Sequence, residues 1–129
     1  MATPARTPEG VHAVLESAFN AGDLDAYTDV FDDDAALVVP PNGGTAVGRE
    51  QIRGASEAIF ALGDLRAEIR VLGKLEGNGL ALTHARWTLA GTGPDGDLVE
   101  LGGRGTIVSR RKPDGSWRIV LDNPLSPDE

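Results

Sequence analysis

The sequence predicts an α+β domain, with helices on one face of an antiparallel meander. Three observations carry that expectation. Two helical segments open the chain, divided by Ala21-Gly22-Asp23, a stop followed at once by a cap. A third helical stretch follows Gly48. From Leu65 onward, apolar and polar residues alternate in runs separated by Gly77-Asn78-Gly79, Pro94-Asp95-Gly96-Asp97 and Pro113-Asp114-Gly115.

Thr7 caps the first helix, with Pro8 at the first helical position and Glu9 near the positive end of the dipole. Val11, Val14, Leu15, Ala18 and Phe19 repeat at helical spacing, which leaves Glu16 and Asn20 for water. Gly22 suits a left-handed stop, and Asp23 caps a short second helix carrying Leu24, Tyr27, Thr28 and Phe31 on one side. Asp32-Asp33-Asp34 opposes the dipole at a helix end, so that helix is expected to stop before it. The triplet reads as a calcium loop or as a solvated turn with a capping aspartate. The missing alternate ligand spacing favours the turn.

Ala36-Leu37-Val38-Val39 reads as a strand, stopped by Pro40-Pro41 and turned by Asn42-Gly43-Gly44, with a further short strand left open. The third helix has an apolar stripe of Ile52, Ala55, Ile59 and Leu62. Leu65 to Leu75 alternates strictly, and Leu80 to Ala90, Leu98 to Arg111 and Trp117 to Asp122 complete the sheet.

At 129 residues the chain can bury roughly two thirds of its unfolded surface. It has no cysteine, which excludes disulfides, thiolate metal sites and a cysteine nucleophile, and fits a cytoplasmic location. The first residues lack the apolar core of a signal peptide, and no apolar run approaches a membrane span, so no membrane role is expected. A net charge of -8 with scattered arginines argues against a nucleic-acid partner.

Ala21-Gly22-Asp23-Leu24-Asp25, Phe31 with Asp33-Asp34-Ala35, Gly48-Arg49-Glu50-Gln51-Ile52 and the closing Pro113-Asp114-Gly115-Ser116-Trp117-Arg118-Ile119-Val120 together resemble the nuclear transport factor 2-like, or cystatin-like, superfamily. That superfamily includes ketosteroid isomerases and SnoaL-type polyketide cyclases. The end of the chain resembles the bacterial SnoaL-like and ketosteroid isomerase-homologue branch. The resemblance implies a curved antiparallel sheet wrapped around the N-terminal helices, a cone with an internal pocket. Residues 7–125 would form this single domain, with a disordered tail over 1–6 and a second tail over 126–129.

The isomerase pattern itself is not met. Its general-base aspartate falls on Val39, its oxyanion-hole tyrosine on Leu15, and its second oxyanion-hole acid near Ile107. Abstraction of a proton beside a ketone needs a base and a donor to the developing enolate, and these three side chains supply neither. A true ketosteroid isomerase is therefore not expected.

Carrying the strand alternation onto the family's cone turns Thr83, Ala85 and Trp87 inward, with Gly103, Gly105, Ile107, Val120 and Asp122. Tyr27, Phe31 and Ile59 would close the helical side, and Val39 would stand where the isomerase base does. Tyr27, Phe31, Val39, Ile59, Thr83, Trp87, Ile107 and Val120 are thus the expected substrate contacts. Asp122 is the expected acid–base group, since a carboxyl in an apolar hollow has a raised pKa. Its competing role is to bond backbone amides or Asn123 at the strand end. His84 falls with Arg86 on the outer face, where members of the superfamily dimerise, and a one-residue slip would exchange His84 and Trp87. His12 lies beside the helical stripe and is given no role.

Gly91-Thr92-Gly93-Pro94-Asp95-Gly96 matches the dinucleotide fingerprint in letters, but a strand follows it, so it reads as a hairpin turn. Two distant histidines without cysteine make no zinc site. The functional expectation is a small-molecule pocket for an apolar, cyclic or polyketide-like ligand. Its enzymatic form is a cyclase, isomerase or dehydratase working by acid–base chemistry, with no metal or organic cofactor. The alternatives are a non-catalytic binder and a homodimeric assembly module. A hollow of several hundred cubic ångströms would favour a ligand; one filled by Trp87, Tyr27 and Phe31 would favour assembly.

Overall fold

In the computed structural model of the chain, residues 4–39 and 43–126 are described. Helix α1 (Pro8–Ala21) starts where Thr7 Oγ1 accepts from the Gly10 amide at 2.9 Å, and ends at Gly22, which is left-handed at φ 69°. Helix α2 (Leu24–Asp29) begins with Asp23 Oδ1 accepting from the Ala26 amide at 3.0 Å. Strands β1 (Phe31–Val39) and β2 (Gly44–Val47) follow, then helix α3 (Arg49–Phe60). Four strands complete the chain: β3 (Asp64–Gly77), β4 (Leu80–Thr92), β5 (Leu98–Arg111) and β6 (Trp117–Ser126). The expected stop at Pro40-Pro41 and the turn residue Asn42 lie outside the described residues. Leu62, expected on the third helical stripe, follows the end of α3.

The six strands form one curved, open sheet in the order β2-β1-β6-β5-β4-β3. Hairpins join β3, β4 and β5, and the first turns through Asn78 and Gly79, both at positive φ as a two-residue hairpin of this hand requires. The sheet is not a pure meander, because β6 returns beside β1 and pairs with it in parallel. That pairing extends the sheet past α1 and α3, and Val11, Phe31, Ile52 and Ile119 are wholly buried.

Three local expectations are corrected. The aspartate triplet lies inside β1 rather than in a turn. Asp32 is partly buried, 14% exposed at the side chain, with Lys112 Nζ at 3.0 Å and Arg110 Nη1 at 3.7 Å. Burial works against its charge, but the Lys112 ammonium outweighs it and holds the carboxyl below its ordinary pKa. Asp33 pairs with Arg49 at 3.2 Å. Alternation along a strand separates the carboxylates, which a turn would have clustered.

The tail expected over 1–6 is docked by residue 5. Ala5 is buried, its carbonyl accepts from the Trp117 amide at 2.9 Å, and Arg6 Nη1 donates to Asp114 O at 2.9 Å. The start of β6 thereby gives the segment a fixed backbone partner.

Glu16 and Asn20 are not left to water. Asn20 accepts from the Ala67 amide at 2.7 Å and donates to the Ala67 carbonyl at 3.0 Å, while Glu16 accepts from the Ile69 amide at 2.7 Å. β3 is an edge strand, and its unpaired backbone groups need partners. Asn20 acts as a one-residue substitute for a seventh strand.

Candidate functional site

Between α1, α2, α3 and the concave side of the sheet lies a hollow of about 90 Å³. Leu15 and Phe19 from α1, Ile59 from α3, Leu37 from β1 and Ile107 from β5 make its wall almost wholly apolar. Three groups interrupt that wall with titratable chemistry: His12, Tyr27 and Asp122. The volume is below the several hundred cubic ångströms of a typical small-molecule pocket.

Asp122 reaches the hollow through a break in strand register. Along β5 and β6, Val108 faces Leu121 but Ser109 faces Ile119, so Val120 is an extra residue on β6. The bulge places Ile119 and Asp122 inward three residues apart, with Leu121 outward between them and 53% exposed. Asp122 stands beside Ile107 on one neighbour and Leu37 on the other. It is 8% exposed, and burial pushes its pKa up to about 7. Tyr27 is affected in the same sense: burial first, then the nearby Asp122 charge, raise the phenol, which stays protonated at any ordinary pH.

Trp87 also enters the hollow, with its Nε1 donating to Pro124 O at 2.8 Å. The glycines beneath it leave little room for a side chain. A Cβ on Gly103 would lie 3.4 Å from the Trp87 Nε1 and 3.3 Å from Pro124 O, and one on Gly105 would lie 3.2 Å from Pro124 Cα. They let β6 and the indole close down on β5. His84 lies on the opposite face, paired in register with Thr106, whose hydroxyl is 3.1 Å from His84 Nδ1.

Of the expected site residues, the hollow brings together Tyr27, Ile59, Trp87, Ile107 and Asp122. Four others lie outside it. Phe31, the first residue of β1, is fully buried beneath Tyr27, with ring centroids 6.1 Å apart. Val39 is at the far end of β1, two residues beyond the lining Leu37, and packs against the main core. Thr83 has the right parity, but its hydroxyl is taken by His12 Nε2 at 2.7 Å, and the imidazole faces the hollow in its place. Val120 is displaced by the β6 bulge.

His12 is the functional candidate that sequence reasoning missed. It is 4% exposed, and burial lowers its pKa to about 4 against a small opposing effect of Glu9. The available signal was its place next to Val11 and one turn before Leu15, at the edge of a stripe of apolar residues.

The comparisons with known proteins agree with this architecture. A ketosteroid isomerase-like protein from Erwinia carotovora atroseptica superposes with a TM-score of 0.78 at 19% identity, over 92% of this chain and 94% of that one. An NTF-2 like protein of unknown function from Shewanella oneidensis gives 0.71 at 22% identity, over 90% and 93%. A protein with a cystatin-like fold from Caulobacter vibrioides gives 0.75 at 22% identity, over 93% and 88%. At such identities the likeness is one of fold. No curated protein matches the chain. The SnoaL-like domain family matches residues 11–120, nearly the whole of the helices and sheet described above, and the chain belongs to that family.

Proposed function

We propose that the chain binds a small, largely apolar molecule in the hollow and that Asp122 moves a proton to or from it. The reaction class is cyclisation, isomerisation or dehydration, for which a positioned carboxyl needs no metal or organic cofactor. The observation that carries the reading is a lone carboxyl buried in an apolar wall, titrating near neutrality and therefore able to give and accept a proton at working pH. Tyr27, a protonated phenol on the same hollow, supplies a donor for a developing oxyanion. Ketosteroid isomerisation is not the reaction proposed, since Leu15 and Ile107 present only hydrocarbon to the hollow and Val39 lies outside it. Exchange of ketone α-protons for deuterium, followed by NMR with cyclohexanone and tetralone, tests the chemistry without knowledge of the natural substrate. Acceleration by the wild type that is lost in Asp122→Asn supports it. Equal rates in both proteins remove Asp122 as the acid–base group.

A second reading, a homodimeric assembly module, is favoured by the outer face. The register aligns Val47, Ala36, Leu121, Val108, Leu82 and Leu75 in one row across all six strands, on the side away from the helices. Val47, Leu121 and Leu75 are 55%, 53% and 73% exposed, an apolar band suited to a second copy. The small hollow favours the same reading. The two readings are compatible, since the band and the hollow use opposite faces of one sheet. Among the described residues no helix is long and apolar enough to cross a membrane.

A further inference from the structure

We propose that His12 is a third ligand-contacting group of the hollow, acting with Tyr27 and Asp122, and that the three together select an uncharged molecule carrying a hydroxyl or enol group. The proposal rests on the reading of the hollow as a ligand pocket and adds the chemical class of what it takes.

An imidazole buried in an apolar stripe is costly unless it is partnered. Among the described residues, His12 has one such partner: its Nε2 meets Thr83 Oγ1 at 2.7 Å. The Thr83 hydroxyl also reaches Ile107 O on the neighbouring strand, at 3.4 Å. The short His12 contact and the long Ile107 contact compete for the one hydroxyl hydrogen, so the imidazole proton sits on Nε2 when Thr83 donates to Ile107 O and on Nδ1 when Thr83 donates to His12. In either tautomer Nδ1 keeps one hydrogen-bonding function for a ligand, a lone pair in the first and an N–H in the second.

Burial keeps this imidazole neutral against the charged group nearest to it. Glu9 lies one turn earlier on α1, Thr83 on β4, Tyr27 on α2 and Asp122 on β6. Glu9 favours the imidazolium, but burial outweighs it. Three elements therefore bring three uncharged polar groups to one apolar hollow below neutral pH: an imidazole from α1, a phenol from α2 and a protonated carboxyl from β6. Among the described residues lining the hollow there is no Lys or Arg. An anionic ligand would find no counter-charge there and would oppose the ionisation of Asp122. A hydroxyl donates one hydrogen and accepts two, so it can bond to His12, Tyr27 and Asp122 at once without burying a charge.

Phenol, benzene and benzoate serve as probes of similar ring size and different polarity. Imidazole ¹⁵N resonances of the wild type are followed during each titration, and affinities are compared in His12→Phe. The expected result is that phenol moves the His12 Nδ1 resonance and leaves both His84 nitrogens in place. His12→Phe then weakens phenol by about tenfold without weakening benzene, the effect of one neutral hydrogen bond lost in a dry site. Benzoate binds at least about tenfold more weakly than phenol. The wild-type resonances keep the test valid even where the variant fails to fold. Phenol bound with an unmoved His12 resonance overturns the contact and leaves the pocket reading standing. Benzoate bound as tightly as phenol overturns the selection for uncharged molecules. Failure of the wild type to bind either phenol or benzene overturns this proposal together with the pocket reading.

Discussion

Asp122 and His12 act on stability in opposite directions over one range of pH, and substituting either exposes the other. For Asp122 the ordinary pKa of 3.8 rises to about 7 in the fold, so the native state holds a proton that the unfolded chain has released. Its contribution is fully present below 3.8 and is lost as pH rises through about 7. Each pH unit between those values is worth about 1.4 kcal/mol, which makes the loss about 4 kcal/mol. For His12 the ordinary value of 6.5 falls to about 4, so its contribution is fully present above 6.5 and is lost as pH falls through about 4. By the same conversion that loss is about 3 kcal/mol. With both side chains less than a tenth exposed, solvent screening does little to reduce either figure. In the wild type the slopes offset one another between about pH 4 and 6.5, and stability is nearly flat there. Asp122→Asn removes the falling slope, so stability rises by about 3 kcal/mol across that range. His12→Phe removes the rising slope, so stability falls by about the same amount and continues downward to pH 7. Urea unfolding followed by far-ultraviolet circular dichroism at several pH values reads both curves. Flat, parallel profiles in the wild type and both variants would refute the reasoning, because they would mean that neither group is buried away from water.

Other predictions use the framework around the hollow. Asn20→Ala frees the amide and carbonyl of Ala67 on an edge strand and should cost about 2 kcal/mol in urea unfolding, with accelerated hydrogen exchange confined to β3. Gly105→Ala forces a methyl to 3.2 Å from Pro124 Cα and should lower stability by about 1–3 kcal/mol while shifting Trp87 fluorescence. Ile119→Ala, at a position with no exposure, should cost about 2–5 kcal/mol of stability as a cavity opens beside the β6 bulge. Leu121→Glu places a charge in the middle of the outer apolar row. Light scattering should show a dimer in the wild type and a monomer in this variant; a monomeric wild type would remove the assembly reading.

Features that depend on neighbours in the chain were legible in the sequence. Thr7, Gly22 and Asp23 set the first two helices because capping is a matter of a few consecutive residues. The Asn78-Gly79 turn set the register of β3 on β4 from Gly77 to Gly73, and alternation along β4 put Trp87 in the hollow and His84 outside it, although a bulge at Leu72 breaks the strict alternation expected from Leu65 to Leu75. What escaped was set by contacts distant in sequence. Nothing local marks Val120 as a bulge, yet the bulge decides which of Val120 and Asp122 enters the hollow. The parallel return of β6 to β1 drew Asp32 into a strand beside Lys112. Asn20 and His12 look like surface and stripe residues until β3 and β4 lie against α1 and supply Ala67 and Thr83 as partners.

The protonation state of Asp122 bears most directly on the whole account. Titration of its side-chain carboxyl carbon by ¹³C NMR should give a midpoint near 7, well above the ordinary 3.8. A midpoint at or below the ordinary value would mean a solvated or ion-paired carboxylate, and the acid–base pocket would be contradicted.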